Sequence, residues 1–123
     1  MQTSTQLIGI TPIPPSSNIK RDIEWYDEKT GFKQVYHDNI YAVLKRDDLC
    51  IHLQWHADTV DDPLLGGSVI RIFVNNIRPM FEGFVQRGTL DKKKLVTNTP
   101  WGTNEFGFFD LNKHAIFIVE DIP

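Results

Sequence analysis

Apolar and polar positions along this chain follow two periods, and the order of those periods occurs twice. Residues 18–31 and 76–88 carry apolar side chains at helical spacing, i, i+4 and i+7. Each segment is preceded by one stretch with strand-like alternation and followed by three more. The two segments are offset by about 58 residues, close to half of the 123-residue chain. The pattern therefore predicts a strand–helix–three-strand unit that is used twice.

In the first unit, Asn18 is a suitable N-cap for the helix, and Gly31 is suited to end it in the left-handed conformation. In the second unit, Asn76 and Gly88 occupy the same two positions. The predicted strands are residues 6–13, 32–36, 40–44 and 49–55 in the first unit and 68–74, 95–97, 106–110 and 115–119 in the second. The prediction is one α+β domain over residues 1–123, with a first module at about 5–56, a linker at about 57–66 and a second module at about 67–121.

The composition is that of an ordinary globular domain, with 41% apolar and 24% charged residues. The net charge of −3 and the short basic clusters, of which residues 92–94 are the longest, give no support to nucleic-acid binding. The single cysteine, Cys50, cannot form an intrachain disulfide and fits a reducing compartment. No apolar run approaches the ~20 residues of a membrane span, and the N-terminus lacks the form of a secretory signal. We therefore expect a cytoplasmic protein with neither nucleic acid nor membrane as a partner.

Several short motifs add to this pattern. The first unit contains Asn18-Ile19, Trp25-Tyr26, Gly31-Phe32, Tyr41-Ala42 and the segment RDDLCIHL (46–53), and the second contains PWGTNEF (100–106), Asp110 and His114. With the βαβββ–βαβββ order, these motifs resemble the vicinal oxygen chelate superfamily, which includes glyoxalases, extradiol dioxygenases, fosfomycin-resistance thiol transferases and bleomycin-resistance proteins. The PWG, EF and Asp string is similar to the bleomycin-resistance-like branch. The resemblance implies two curved mixed sheets around a shared trough, with the helices on the convex side, and a two-fold homodimer.

One turn departs from this resemblance. Where the branch has Asp-Pro-Asp-Gly-Asn, this chain has Asp110-Leu111-Asn112-Lys113-His114. Because the Pro and the Gly are absent, we expect the turn before the last strand to be built differently.

The resemblance also implies where enzymatic relatives would hold a divalent metal, on the first and last strand of each module. A catalytic metal needs about three protein ligands of the His, Glu or Asp type. The matching positions here are Thr11, His52, Val69 and Phe117. Of these only His52 could bind a metal, and Arg71 would place a positive charge beside the cation. We therefore expect no metal, no other cofactor and no catalytic residue.

This expectation depends on the register of the last strand. A shift by one residue would turn His114 and Glu120 toward the trough. The same shift would turn Ile116 and Ile118 away from the helices, at a cost of roughly 2 kcal/mol per side chain. The register that keeps both isoleucines buried is therefore the predicted one.

Without a metal, the trough has an apolar floor with a few polar groups, which is typical of small-molecule sites. Trp101, on the loop after Pro100, is expected at the rim, where an aromatic ring stacks on planar ligands. Arg71 favours a carboxylate, a phosphate or another planar anion, or else it pairs with a nearby acid such as Glu105. The predicted ligand-binding residues are Thr11, His52, Arg71, Phe73, Trp101, Glu105 and Phe117.

Together these features predict a metal-free binding protein that captures a planar or aromatic small molecule, oriented by Arg71 and His52, and sequesters it. One alternative is a metal-dependent enzyme of the glyoxalase or dioxygenase type with a degenerate ligand set, acting as a lyase, isomerase or dioxygenase. A second alternative is a non-catalytic domain that binds another protein through its sheet or dimer face.

Overall fold

The computed structural model describes residues 4–123, and within them it has two mixed β-sheets and two α-helices. The α+β class predicted from the sequence is confirmed. In chain order the elements are β1 (Pro15–Ser16), α1 (Ile19–Thr30), β2 (Lys33–His37), β3 (Tyr41–Arg46), β4 (Leu49–Trp55), β5 (Val69–Phe73), α2 (Ile77–Gln86), β6 (Thr103–Phe109) and β7 (Ala115–Asp121). Neither helix of the described residues has the length and apolar character that crossing a membrane requires.

The two sheets share one connectivity, which is the structural form of the sequence repeat. The first sheet has the order β1-β4-β3-β2, and the second has the order β5-β7-β6. In each sheet the strand before the helix pairs in parallel with the last strand of its half, β1 with β4 and β5 with β7. The remaining neighbours pair antiparallel. Each half therefore contains one helical crossover between parallel strands and one or two hairpins.

The helix N-termini differ between the halves. Asn18 has an extended conformation, and its side chain accepts a hydrogen bond from the N–H of Arg21 at 3.0 Å, so the predicted cap of α1 is confirmed. Asn76 precedes α2 in the left-handed conformation, with φ 54°, and makes no side-chain capping bond. The carboxylate of Glu120 caps this helix instead, because its Oε2 accepts the N–H of Ile77 at 3.2 Å. The prediction that Asn76 caps α2 with its side chain was therefore wrong.

Both helices end where glycine permits a positive φ. Gly31 and Gly88 each have a φ of 77°. After α2 the N–H of Gly88 donates to the carbonyl of Val85 at 3.0 Å, and the N–H of Thr89 donates to the carbonyl of Phe84 at 3.1 Å. This pair of bonds is a Schellman motif, which satisfies carbonyl groups in the last turn of the helix.

Two of the predicted strands differ in the structure. The first strand begins later in the chain, and the strand at 95–97 is shortened to one bridge. Residues 6–13 form no strand, and Leu7, Ile8 and Ile10 are almost fully exposed. Ladder pairing with β4 begins only at Pro15, and no neighbouring strand in the described part of the chain pairs with residues 4–11. The predicted strand at 95–97 is a single antiparallel bridge between Val96 and β6.

The core lies between the two sheets and the helices. It is one cluster of buried apolar side chains drawn from both halves, among them Tyr26, Leu44, Leu53, Phe84, Phe106, Ile116 and Ile118. Ile116 and Ile118 are 2% and 1% exposed, which confirms the predicted register of β7. Because strand residues alternate between faces, this register leaves Phe117 on the opposite side of the second sheet.

Candidate functional site

The face of the second sheet that points away from the helices, called the open face below, carries most of the predicted site. Arg71 on β5, Phe117 on β7 and Gly107 on β6 are direct neighbours across the three strands. Gly107 has no side chain, and a Cβ built there would lie 2.7 Å from two carbons of the Phe117 ring. The ring of Phe117 therefore lies across the sheet over Gly107.

Arg71 stacks against two aromatic rings of the open face. Its guanidinium carbon is 5.7 Å from the ring centroid of Phe117 and 5.9 Å from that of Phe73. These distances are typical of cation–π contacts. The Arg71 Nη2 atom also donates to Oε2 of Glu105 at 3.1 Å. Of the two roles that the sequence allows for Arg71, the structure shows the ion pair with Glu105.

Three donors converge on one oxygen of Glu105. In addition to Arg71, Oε2 accepts the Thr103 hydroxyl at 2.7 Å and the Trp101 indole N–H at 3.2 Å. Burial raises the pKa of the Glu105 carboxyl, but the hydrogen bonds from Thr103, Arg71 and Trp101 outweigh this effect and hold the pKa below its usual value. Glu105 is therefore a carboxylate at neutral pH.

The loop before β6 holds Trp101 at the rim of the open face. Its backbone is closed by a bond from the N–H of Thr99 to the carbonyl of Thr103 at 2.9 Å, and by one from the N–H of Gly102 to the carbonyl of Thr99 at 3.0 Å. Gly102 has a φ of 84°, which only glycine adopts without strain. Trp101 is 65% exposed although its N–H is bonded to Glu105, so the ring is positioned and still accessible.

The structure brings five of the seven predicted residues together and leaves two elsewhere. The five on or beside the open face are Arg71, Phe73, Trp101, Glu105 and Phe117. His52 lies on the first sheet, where its Nδ1 is 2.7 Å from the hydroxyl of Tyr41. Thr11 is exposed and belongs to no strand, because the first strand begins at Pro15 and not at residue 6.

Sequence reasoning missed several residues that build this site. Thr103 and Thr99 were not singled out, although their hydroxyls, 2.7 Å apart, support Glu105. Two further residues were missed. Gly107 leaves room for the ring of Phe117, and the hydroxyl of Tyr41 is hydrogen-bonded to His52. Period-2 alternation does place Thr103, Glu105 and Gly107 on one face of a strand, so this signal was present in the sequence.

A cavity of about 290 Å³ connects the open face to the first sheet. Arg71 and Phe73 line it from the second sheet, and Cys50, Leu49 and Pro12 line it from the first half. A larger cavity, about 620 Å³, lies between α1 and the turn after β2 and contains none of the predicted site residues. We assign the site to the open face because that is where exposed aromatic rings meet convergent polar groups.

The donor set was tested against the divalent metal expected in enzymatic relatives. His52 is hydrogen-bonded to Tyr41, and the positions predicted to accompany it offer no imidazole or carboxylate. His114 is fully buried, with its Nε2 3.0 Å from the carbonyl oxygen of Pro15, and Glu120 caps α2. Within residues 4–123 no three His, Cys, Asp or Glu side chains are grouped so that they could hold an ion. The residues present do not fit this metal.

Comparison with known proteins agrees with the motifs in the sequence. No protein-family model matches the chain. Bleomycin resistance proteins of Geobacillus stearothermophilus and Staphylococcus aureus are 26% identical to it over 125 residues, which cover 90% of this chain and 95% of theirs. A glyoxalase/bleomycin resistance protein/dioxygenase from Nocardioides superposes with a TM-score of 0.75 at 14% identity, over 98% of this chain and 87% of that one.

A second solved structure is similar over a comparable length. It is the bleomycin-binding protein of Streptomyces verticillus complexed with copper(II)-bleomycin, with a TM-score of 0.73 at 16% identity, covering 94% of this chain and 97% of that one. The fold is thus the paired mixed-sheet fold that glyoxalase-like and bleomycin-resistance proteins share. The chain has this fold over nearly its whole length, and the curated relatives it resembles in sequence are bleomycin resistance proteins.

Proposed function

We propose that this protein binds a planar small molecule on the open face of the second sheet and sequesters it without chemical change. The observation that carries the proposal is the exposed aromatic surface of Trp101 and Phe73 around the Arg71–Glu105 pair. The similarity to bleomycin resistance proteins along 90% of the chain also supports a role in binding a small molecule.

The aromatic residues account for a preference for planar ligands. Trp101 is 65% and Phe73 is 57% exposed, so a ligand that covers them removes a large apolar area from water. Trp101 is held by its bond to Glu105, and the Phe117 ring is confined between Arg71 and Gly107. Rings that are already fixed lose little conformational freedom on binding, which favours affinity.

The polar groups of this face favour capture over catalysis. An effective general base or acid has a pKa near the working pH, but the pKa of Glu105 is held below its usual value. The remaining polar groups, Arg71, Thr103 and the Trp101 indole, are bonded to the same carboxylate. A metal-dependent reaction, the alternative considered from the sequence, lacks a suitable ligand set within residues 4–123.

The proposed binding form is a two-fold homodimer. Leu7, Ile8 and Ile10 are 99%, 95% and 98% exposed, in a segment that begins where pairing with β4 ends. Exposed apolar residues of this kind mark surfaces that a partner covers, and a second copy of the chain is the partner expected from the resemblance. A cytoplasmic location remains a prediction from the single cysteine.

Titration with bleomycin, in its metal-free and copper(II)-loaded forms, tests the binding proposal. We expect saturable binding with a change in tryptophan fluorescence and recovery of chemically unchanged ligand. Trp101→Phe should remove most of the fluorescence change and weaken binding about tenfold, which corresponds to about 1.4 kcal/mol. Trp55→Phe, at a half-exposed indole of the first sheet, serves as the matched control and should bind as the wild type does.

The result that would contradict the proposal is the absence of binding for bleomycin and for a panel of planar aromatic compounds alike. Metal-dependent turnover that is lost in His52→Ala would favour the enzyme alternative. A protein that no small molecule stabilises against heat would favour the protein-interaction alternative.

Light scattering after size-exclusion chromatography tests the dimer. The full chain should elute as a dimer, and a triple serine variant of Leu7, Ile8 and Ile10 should shift toward the monomer. Val60→Ser, at a loop residue that is 98% exposed, is the control and should leave the dimer unchanged. A wild-type protein that is monomeric at all concentrations would refute this assembly.

A further inference from the structure

We infer that the ligand presents a hydrogen-bond donor to the free oxygen of Glu105, and not an acidic group to Arg71. The inference rests on the proposed function, because it assumes that the open face binds a planar molecule. It specifies the chemical class of that molecule, a planar aromatic with an amide or protonated nitrogen at its edge.

The two oxygens of Glu105 are used unequally. Arg71, Trp101 and Thr103 all donate to Oε2, at 3.1, 3.2 and 2.7 Å. Within residues 4–123, Oε1 receives no hydrogen bond, and the only buried side-chain nitrogen or oxygen without a partner is Nδ1 of His114. Oε1 therefore keeps contact with solvent, although Glu105 as a whole is only 8% exposed, and it lies on the open face with the rest of the side chain.

Arg71 is already paired with an acid. Its charge is matched by the Glu105 carboxylate, and Phe117 and Phe73 lie beside its guanidinium. Arg71 donates one bond to this carboxylate and its side chain is 37% exposed, but the pair as a whole has no net charge, and an anion bound to the other N–H groups of Arg71 would approach the Glu105 carboxylate. Arg71 is therefore a positioning residue that holds Glu105 and Phe117 in place.

The unused Oε1 atom and the paired Arg71 together indicate the chemical class of the ligand. A carboxylate is an acceptor-only group with several lone-pair sites, and the sites on Oε1 are unused here. A donor at the ligand edge satisfies Oε1 while its ring covers Trp101. Bonds from a charged donor are the stronger ones, so a protonated nitrogen is preferred to a neutral amide.

Four naphthalene compounds with the same ring and substitution position test the inference in NMR titrations. They are 2-naphthamidinium, 2-naphthamide, methyl 2-naphthyl ketone and 2-naphthoate, which differ in charge and in the presence of an N–H donor. For the wild-type protein we expect affinity to fall in that order, with the amidinium binding about tenfold more tightly than the ketone. Glu105→Gln should reduce this tenfold preference to about twofold.

Asp121→Asn is the matched control, because it removes one carboxylate from an exposed neighbouring position on β7. It should keep the full preference, since Asp121 supplies no part of the proposed contact. The wild-type ranking decides the question even if Glu105→Gln fails to fold. Equal affinities, or tighter binding of the naphthoate, would overturn the inference and leave the proposed function standing. No binding of any of the four or of bleomycin would instead overturn the proposed function, and the inference with it.

Discussion

The ring of Phe117 occupies the space that a side chain at Gly107 would need. A Cβ at position 107 would approach two ring carbons of Phe117 to 2.7 Å, closer than real Cβ atoms come to their neighbours. The guanidinium carbon of Arg71 lies 5.7 Å from the centroid of the same ring. One glycine on β6 thus sets the position of an aromatic ring and, through it, of a charged group on β5.

Gly107→Ala should therefore disturb the site. The added methyl group forces the Phe117 ring away from the sheet, and overpacking of this kind costs about 1–3 kcal/mol of stability. Affinity for the planar ligand should fall together with the free energy of unfolding in urea. Gly83→Ala is the control, because its Cβ would meet nothing within 4 Å on α2, and it should stabilise the protein by about 0.5–1 kcal/mol. Equal effects of the two substitutions would contradict the packing argument.

The sequence was sufficient to predict which face each of these residues occupies. Alternation with period 2 placed Arg71, Phe73 and Phe117 on one side, because Ile116 and Ile118 had to be buried against the helices. The contact between Arg71 and Glu105 could be named only as one of two alternatives. It joins β5 to β6 across β7, and such a contact depends on the register of three strands, which a single sequence does not specify.

The errors have a common physical cause. The predicted strand at 6–13 has a suitable pattern, but the ladder with β4 begins at Pro15, and before it the segment is joined to β4 through the bond from the N–H of His52 to the carbonyl of Pro12. Asn76 is a good N-cap by residue type, yet the carboxylate of Glu120 from β7 takes that role. In both cases a tertiary neighbour, invisible in local sequence, determined the outcome.

Loss of the Glu105 charge should destabilise the protein at neutral pH. In the folded state the pKa of Glu105 lies below its ordinary value of 4.5, so its stabilising contribution is present above about pH 4.5 and is lost as the pH falls through the folded-state pKa. Glu105→Gln should cost about 1–3 kcal/mol in urea unfolding at pH 7. The difference from the wild type should shrink in acid, once the pH has fallen below the folded-state pKa and both side chains are neutral.

Glu82→Gln on the exposed side of α2 provides the control for this pH dependence. It should change stability by less than about 0.5 kcal/mol at either pH. A cost of Glu105→Gln that is the same at both pH values would show that shape, and not charge, is what the position requires.

Lys113→Gly should stabilise the protein. Lys113 has a φ of 66°, in the left-handed region, at the position where the Asp-Pro-Asp-Gly-Asn turn of bleomycin-resistance-like proteins has its Gly. A side chain in this conformation costs about 1–2 kcal/mol, part of which is offset by the greater freedom of glycine in the unfolded chain. We expect a gain of about 0.5–1 kcal/mol in urea unfolding. Lys92→Gly, at a residue without a positive φ, should give no gain, and a gain there of equal size would contradict the argument.

Asn112→Asp should have the opposite effect, although it restores the residue of the same turn motif. Asn112 is 4% exposed, and its Nδ2 donates to Oδ2 of Asp22 on α1 at 2.6 Å, which ties the β6–β7 turn to the first half of the chain. An aspartate there places two carboxylate oxygens in contact and removes one of the two donors to Oδ2 of Asp22, which keeps its bond from the Ser16 hydroxyl. The loss of one buried hydrogen bond costs about 1–3 kcal/mol. We expect at least this loss in urea unfolding at pH 7. Asn112→Ala should be less harmful than Asn112→Asp at pH 7, and Asn39→Ala, in an exposed turn, should change little. If Asn112→Asp is as stable as the wild type at pH 7, the turn does not depend on its bond to Asp22.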